Sequence, residues 1–328
     1  MSRIKKRIDK CIRVLQNSKS SDERKAAVKE LLKIGLGAEE ALPELMKIIN
    51  GREEFTIQGL AEETVIKIGE PSIAYIKRLL KSLKWKKRSK AIEILGAIAL
   101  TDKETITKVL SLILPIATRD LNYHVRLDVV TIVGKLLIKS KKQTHAIEIL
   151  GEVLRTDRHM QIQKEVSNLL SSIDSDLAIK ELVKSVKREN YPLIRPTGNP
   201  RVEAANGLYL VAHDKPKKLK FAIPDLLKVL RKDPTPAVRA SVLLPLALSG
   251  GWDVVEDIID SAACDRWYQV RVTALTVIGI IINQKPTKRK LKSIEPLIKK
   301  IARDDKYEYV QNSARDLLEV IDEKIKTE

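Results

Sequence analysis

Apolar positions along this chain follow a helical spacing that returns nine times. In each return a polar residue, here called the register residue, is followed three positions later by Ala or Val and seven positions later by a bulky apolar residue. Side chains at this spacing lie on one face of an α-helix, so each return predicts a helix with an apolar stripe. The register residues are Arg24, Gln58, Arg88, Arg126, Gln163, Arg201, Arg239, Arg271 and Gln311.

The distance between register residues predicts a repeat architecture. Successive register residues are 30 to 40 positions apart, a period typical of helical hairpins in a solenoid. We name the two helices of each hairpin A and B, with the register residue in the first turn of B. Because a repeat array buries apolar surface only between neighbours, one continuous domain is expected over residues 1–328. The predicted repeats cover approximately residues 3–35, 41–69, 70–100, 104–138, 142–173, 176–213, 217–250, 252–283 and 287–325.

Aspartates and glycines mark the predicted helix ends. An Asp stands six positions before the register residue in five repeats, where it can accept hydrogen bonds from free backbone N–H groups. A glycine in the second half of helix B permits a helix end or close helix packing. These residues are Asp120, Asp157, Asp233, Asp265 and Asp305, with Gly35, Gly69, Gly96, Gly134 and Gly279.

The combination of an Asp, a Val-Arg pair and a following Ala and Leu resembles the HEAT repeat family. The closest matches are Asp120 with Val125-Arg126, Asp233 with Val238-Arg239, Asp265 with Val270-Arg271, and Asp305 with Val310-Gln311. The resemblance covers essentially the whole chain. It implies an all-α fold, a right-handed alpha-alpha superhelix (HEAT-repeat solenoid) of about nine helical hairpins with the B helices on the concave side. It also implies an internal ladder of Asp and Arg, which should be interrupted where Arg52 and Arg195 replace the Asp.

The inventory of reactive groups argues against an enzyme. The four histidines are spread over three predicted repeats, and the chain has no HExxH, CxxC or Walker A motif. The paired His-Glu motifs by which HEAT-like deoxyhypusine hydroxylases hold iron are also missing, so we expect no metal, cofactor or small-molecule substrate. The enzymatic alternative is a HEAT-like alkylpurine DNA glycosylase, which would use tryptophans around an extruded base. Trp85, Trp252 and Trp267 each lie near a predicted helix boundary, where packing is the ordinary role.

Cysteine content and hydropathy bear on the compartment. Cys11 and Cys264 fall in the first and eighth predicted repeats, too far apart for a disulfide. A chain without disulfides suits a reducing compartment, so we expect a cytoplasmic protein. The longest predominantly apolar run, residues 274–282, is shorter than the roughly 20 residues of a transmembrane helix, so no membrane partner is expected. The basic N-terminal stretch lacks the apolar segment of a secretory signal and is interpreted as the first helix.

The charge balance makes anionic partners candidates. The chain has 61 Lys and Arg against 43 Asp and Glu, a formal net charge of +18. Three connections from a B helix to the next A helix are strongly basic and should lie along one edge of the array. The alternative for any one cluster is a solvated edge that keeps the protein soluble. The candidates are Lys139, Lys141, Lys142, Lys215, Lys217, Lys218, Lys220, Lys288, Arg289 and Lys290.

The turns from A to B, on the opposite predicted edge, contain eight of the twelve aromatic residues. Aromatic rings among cations suit unpaired bases and phosphates, or an acidic protein surface. Phe55, Trp85, Tyr123 and Tyr268 stand three positions before the register residue and are expected to pack on the preceding repeat. The candidates are Lys84, Trp85, Lys86, Lys87, Arg266, Trp267, Tyr307 and Tyr309, with Tyr191 and Arg195 in a proline-rich loop, and Arg201, whose repeat lacks the Asp.

These features predict a non-enzymatic binding protein for a large, negatively charged partner, with structured RNA or a ribonucleoprotein such as the ribosome favoured. The alternative is a protein–protein scaffold or adaptor that binds acidic clients. A continuous basic path on one face would favour nucleic acid, whereas an apolar patch on the concave face would favour protein. The sequence does not decide the oligomeric state.

Overall fold

The computed structural model describes residues 3–140, 144–188, 199–284 and 286–327. All regular structure within these ranges is helical, and no strand occurs in them. Backbone contacts group the chain into two compact units, Met1–Ile149 and Leu150–Glu328, which are described in turn. The single continuous array stays a prediction.

Unit 1 contains the first four predicted hairpins. The B helices α2, α4, α6 and α8 pack against one another in succession, and each hairpin also packs internally. The A helix of the third repeat is short and continues into a single 3₁₀ turn. The helices are α1 (Arg3–Asn17), α2 (Ser21–Ile34), α3 (Leu42–Asn50), α4 (Phe55–Ile68), α5 (Ile73–Ile76), α6 (Trp85–Thr101), α7 (Thr105–Arg119) and α8 (Tyr123–Lys139).

Unit 2 contains the later hairpins, and the helix α9 (Thr144–Thr156) includes the boundary between the units. Its B helices α10, α12, α14, α16 and α18 again pack in succession, while α11, α13, α15 and α17 form the A layer. The helices are α10 (Met160–Ser172), α11 (Asp176–Val186), α12 (Pro200–Asp214), α13 (Ile223–Lys232), α14 (Pro236–Gly250), α15 (Val255–Cys264), α16 (Tyr268–Ile282), α17 (Lys288–Asp304) and α18 (Glu308–Thr327).

The two repeated apolar positions form the core between neighbouring hairpins. Every residue three positions after a register residue is buried, and so is every residue seven positions after it except Leu318. Leu318 lies in α18, after which no helix follows in the described part of the chain. Each B helix therefore buries its stripe against the adjacent repeats, as the spacing predicts.

Glycines in the B helices serve both predicted purposes. Gly35 and Gly69 end α2 and α4 with φ of +68° and +81°, a backbone region that other residues rarely adopt. Gly96 allows α6 to approach α8, since a Cβ there would lie 2.6 Å from Ile132. The predicted roles of these three glycines are confirmed.

Candidate binding surfaces

Buried pairs of Arg and Asp join successive repeats in unit 2. Arg239 donates from Nε and Nη2 to the two carboxylate oxygens of Asp265 at 2.7 and 2.8 Å. Arg271 donates to Asp305 in the same way at 2.6 and 2.8 Å. All four side chains are nearly buried. The polar ladder that the HEAT resemblance implied is therefore present, and its arginines are not a track for phosphates.

Unit 1 keeps the ladder even where the sequence lacks the expected Asp. Arg88 binds both oxygens of Asp120 at 2.6 and 2.7 Å. At the second repeat, where Arg52 replaces the Asp, Arg24 pairs with Glu53 instead. The expected interruption at Arg52 is therefore wrong, because the next residue along the chain supplies the carboxylate.

Arg201 belongs to this ladder and not to a partner-binding surface. Its side chain is only 4% exposed. Nε donates to the carbonyl of Val186 at 2.9 Å, and Nη2 donates to Asp233 of the next repeat. The proposal of Arg201 as a contact residue is corrected, because a ladder arginine pairs with the Asp of the following repeat and the missing Asp of its own repeat does not leave it unpaired.

The ladder also holds the turns from A to B in place. The Oδ1 atoms of Asp265 and Asp305 accept hydrogen bonds from the backbone N–H groups of Trp267 and Tyr307, both at 2.9 Å. Burial opposes ionisation of each carboxyl, but these bonds and those from the ladder arginines outweigh it and hold the pKa of both aspartates below the ordinary value. The ionised ladder aspartates thus fix the backbone of these turns, and with it the positions of the residues that the turns carry.

On the turns of unit 2, an aromatic ring contacts a ring of the following repeat. Tyr268 stacks on Tyr307 of the following repeat, with 4.9 Å between ring centroids. The cations of Arg271 and Lys306 lie 5.4 and 5.0 Å from the Tyr307 ring. Tyr268 was expected to pack on the preceding repeat, whereas its ring contact is made with the next turn. Trp267 and Tyr309 remain exposed, and Arg266 donates to the carbonyl of Pro234 at 3.3 Å.

In unit 1, Phe55 does not pack on the preceding repeat, since it is 87% exposed. Trp85 stacks on His124 of the following repeat with 5.1 Å between centroids, and Tyr123 lies 4.0 Å from the same ring. The ring contact of Trp85 is thus also made with the following repeat, where packing on the preceding one was expected. Among the nearby lysines, Lys86 lies 5.8 Å from the Trp85 ring, Lys87 donates to the carbonyl of Asn50, and Lys84 is exposed.

Two exposed leucines on the same edge were missed by the sequence analysis. Leu83 and Leu121 are 100% and 98% exposed, and both stand five positions before the register residue. That position is charged or proline in every other repeat, and this contrast could have identified them. Between the two turns lies a groove of about 540 Å³.

The basic connections from B to A are partly engaged within the protein. Lys215 and Lys218 both pair with Asp174, and Lys139 donates to the carbonyl of Leu100. Lys290 lies 5.5 Å from the ring of Trp252. Among the basic candidates, Lys217, Lys220, Lys288 and Arg289 are exposed and make none of these contacts within the described ranges. Four other candidates lie outside the described residues: Lys141, Lys142, Tyr191 and Arg195.

The B helices of unit 2 carry an apolar row that the sequence analysis also missed. The position nine residues after the register residue lies on the outer side of the helix, and in unit 1 it holds exposed lysines at 33, 67 and 135 and an alanine at 97. In α12, α14, α16 and α18, which pack in succession, the same position is apolar; it is exposed in α12 and half-buried in the other three helices. The only charged residues in α14 and α16 are the ladder arginines. We call these four residues the apolar row: Leu210, Leu248, Ile280 and Val320.

Other kinds of site are not found in the described part of the chain. No three His, Cys, Asp or Glu side chains within it are grouped as metal ligands. None of its helices combines the length and apolar character needed to cross a bilayer. Both cysteines are free.

Comparison with known proteins shows the fold. No protein-family model and no curated protein sequence matches this chain. Among solved structures, three crystal structures of Kap121p match it. A Kap121p mutant has a TM-score of 0.66 at 11% identity, over 97% of this chain and 37% of the mutant chain. Kap121p itself has a TM-score of 0.60 at 13% identity, over 98% and 38% of the two chains, and Kap121p bound to RanGTP has a TM-score of 0.52 at 12% identity, over 97% and 41%. The chain thus spans about two fifths of the length of these three Kap121p chains. Identities this low show the fold alone, and the protein is an all-α HEAT-repeat solenoid.

Proposed function

We propose that this protein is a non-enzymatic HEAT-repeat scaffold that binds a protein partner on the apolar row of unit 2. The apolar character of this row is the observation that supports the proposal. In a chain with 32% charged residues, two adjacent helices whose only charges are buried ladder arginines offer a surface suited to apolar contact. Kap121p, which shares the fold, has been solved with the protein RanGTP, and this supports a protein as the class of partner.

The dimensions of the row suit an amphipathic helix of the partner. Its four residues lie on four successive B helices, and packed helices are about 8–10 Å apart, so the row extends over roughly 25–30 Å. A helix of about 20 residues has this length. Such a helix, laid across the B helices, would bury an apolar side chain at each repeat.

RNA, the partner that the sequence favoured, has less support from the side-chain contacts. Asp174 engages Lys215 and Lys218, and the carbonyl of Leu100 engages Lys139. A lysine already paired with a carboxylate releases fewer counterions on binding phosphate. At Trp85 the carboxylate that a glycosylase would need is not available, because Asp120, which lines the same groove, is bonded to Arg88 through both oxygens.

Lysines placed in the row should abolish partner binding without unfolding the protein. We would select random peptides long enough to form a helix on the wild-type protein, then measure their affinity for a Leu248→Lys/Ile280→Lys variant by fluorescence anisotropy. Lysine is the residue that three repeats of unit 1 carry at this position, so the HEAT fold accommodates it. Peptides with an apolar face should bind the variant at least about tenfold more weakly.

The matched control is Phe221→Lys/Leu297→Lys, which adds the same charge at exposed apolar residues of unit 2 outside the row. It should leave the affinities unchanged. If every recovered peptide binds the row variant as tightly as the wild type, the row is not the docking surface.

A further inference from the structure

The groove between the third and fourth turns of unit 1 combines exposed apolar side chains with a fixed backbone. The carbonyls of Leu83 and Leu121 accept hydrogen bonds from the ladder residues Arg88 and Arg126 at 3.2 and 3.3 Å. The side chains of both leucines stand in solvent. The helices that begin at these turns, α6 and α8, also pack on each other. The groove is therefore formed before any partner arrives, which lowers the entropic cost of binding.

The apolar lining of the groove is large enough to receive a side chain. Leu83 and Leu121 line it at its two turns, and Trp85, which stacks on His124, also belongs to the lining. A volume of about 540 Å³ exceeds what one bulky apolar residue fills. Single exposed leucines are ordinary in proteins, but two at the same position of adjacent repeats, beside a Trp, form a patch suited to an anchor residue.

The charges around the groove specify the partner. Its lining includes Lys81, Arg88, Arg119 and Asp120. Arg88 and Asp120 neutralise each other in the ladder, so the uncompensated charges are the exposed Lys81 and Arg119, which make no ion pair with any described residue. Lys84 and Lys86 follow directly along the chain and are also exposed. A segment bound here would therefore gain from carrying carboxylates.

We propose that this turn groove binds an acidic protein segment through an apolar anchor. One bulky side chain of the segment enters between Leu83 and Leu121 and contacts Trp85. Carboxylates next to the anchor face Lys81 and Arg119. This site lies in unit 1 and shares no residue with the apolar row of unit 2, so either surface can bind a partner without the other.

The test uses short random peptides displayed on phage and selected on the full-length protein. The peptides to analyse are those lost when the selection is repeated on a Leu83→Ser/Leu121→Ser variant. They should combine Asp or Glu with one bulky apolar residue. As labelled synthetic peptides they should bind at least about tenfold more weakly to the leucine variant and to a Lys81→Glu/Arg119→Glu variant. Their affinity for the row variant Leu248→Lys/Ile280→Lys should equal that for the wild type.

Matched controls separate the groove from general surface effects. Ile138→Ser removes an exposed apolar residue of unit 1, and Lys103→Glu reverses an exposed charge of unit 1, both outside the groove. Neither should alter binding. The proposal is overturned if no peptide depends on the leucines, or if the dependent peptides lack acidic residues. It is also overturned if a labelled single-stranded RNA loses affinity with the charge variant and keeps it with the leucine variant, which would assign the surface to RNA.

Discussion

Replacing Leu208 by Asp should unfold the repeats around α12, whereas the same replacement at Leu210 should leave them folded. Leu208 is fully buried in the stripe between hairpins, while Leu210 is 40% exposed in the apolar row. Truncating a buried Leu alone costs about 2–5 kcal/mol, and an unpaired carboxylate adds a desolvation penalty of several kcal/mol. The sum approaches the roughly 5–15 kcal/mol of a whole domain. A surface change is expected to cost only about 0.5 kcal/mol.

Urea unfolding followed by circular dichroism measures both variants at the same pH. Leu210→Asp should keep the wild-type midpoint and lose peptide binding to the row. Leu208→Asp should lose helical signal without denaturant or show a much lower midpoint. Equal effects of the two substitutions would contradict the assignment of one face of α12 to the core and the other to the surface.

Removing one ladder arginine should cost far more than removing an arginine from a surface ion pair. Arg239→Ala leaves Asp265 buried without its cation, a loss of about 3–5 kcal/mol. The control is Arg231→Ala, because Arg231 is more than half exposed where it pairs with Asp257. Such surface pairs contribute about 0–1 kcal/mol. The stability losses of the two variants are compared through their midpoints of urea unfolding, measured at neutral pH.

Lowering the pH should reduce the difference in the free energy of unfolding between the wild type and Arg239→Ala. The folded pKa of Asp265 lies below its ordinary value, so its stabilising effect is present above that ordinary value and is lost as pH falls through the folded one. The wild type should therefore lose more stability than the variant below about pH 4. Similar costs for Arg239→Ala and Arg231→Ala at neutral pH would show that the ladder does not stabilise the array.

The hairpins could be predicted because their determinants are local. Apolar spacing identifies each B helix, and the helices α4, α6 and α8 begin at Phe55, Trp85 and Tyr123, each three positions before its register residue. The Asp that ends the preceding helix is equally local. The apolar positions that lie between packed helices follow from the same periodicity, so the core was also predictable.

The contacts of individual side chains depend on neighbouring repeats and were harder to predict. Arg24 pairs with Glu53, the residue that follows position 52, where the repeat pattern expects an Asp. Tyr268 stacks on the following turn because Tyr307 happens to lie there. The spacing within one repeat contains no information on either choice.

The candidate surfaces required comparison between repeats at matched positions. The apolar row lies at a position outside the buried stripe, where the helical spacing sets no requirement and where α2, α4 and α8 of unit 1 carry lysine. Leu83 and Leu121 are likewise unusual only beside the charged residues and prolines of other repeats. The net charge of +18 pointed to RNA because a formal sum does not reveal which lysines, such as Lys215 and Lys218, already have a carboxylate partner.

The most direct test of a protein partner is a salt titration that compares nucleic acids with the peptides recovered on the apolar row. Labelled structured RNA, single-stranded RNA and duplex DNA would each be titrated with the protein by anisotropy over a range of ionic strengths. We predict weak and similar binding of all three that disappears near physiological salt, whereas apolar peptide contacts persist because salt does not screen them. Tight binding of one nucleic acid form at physiological salt, unaffected by Leu248→Lys/Ile280→Lys, would contradict the account.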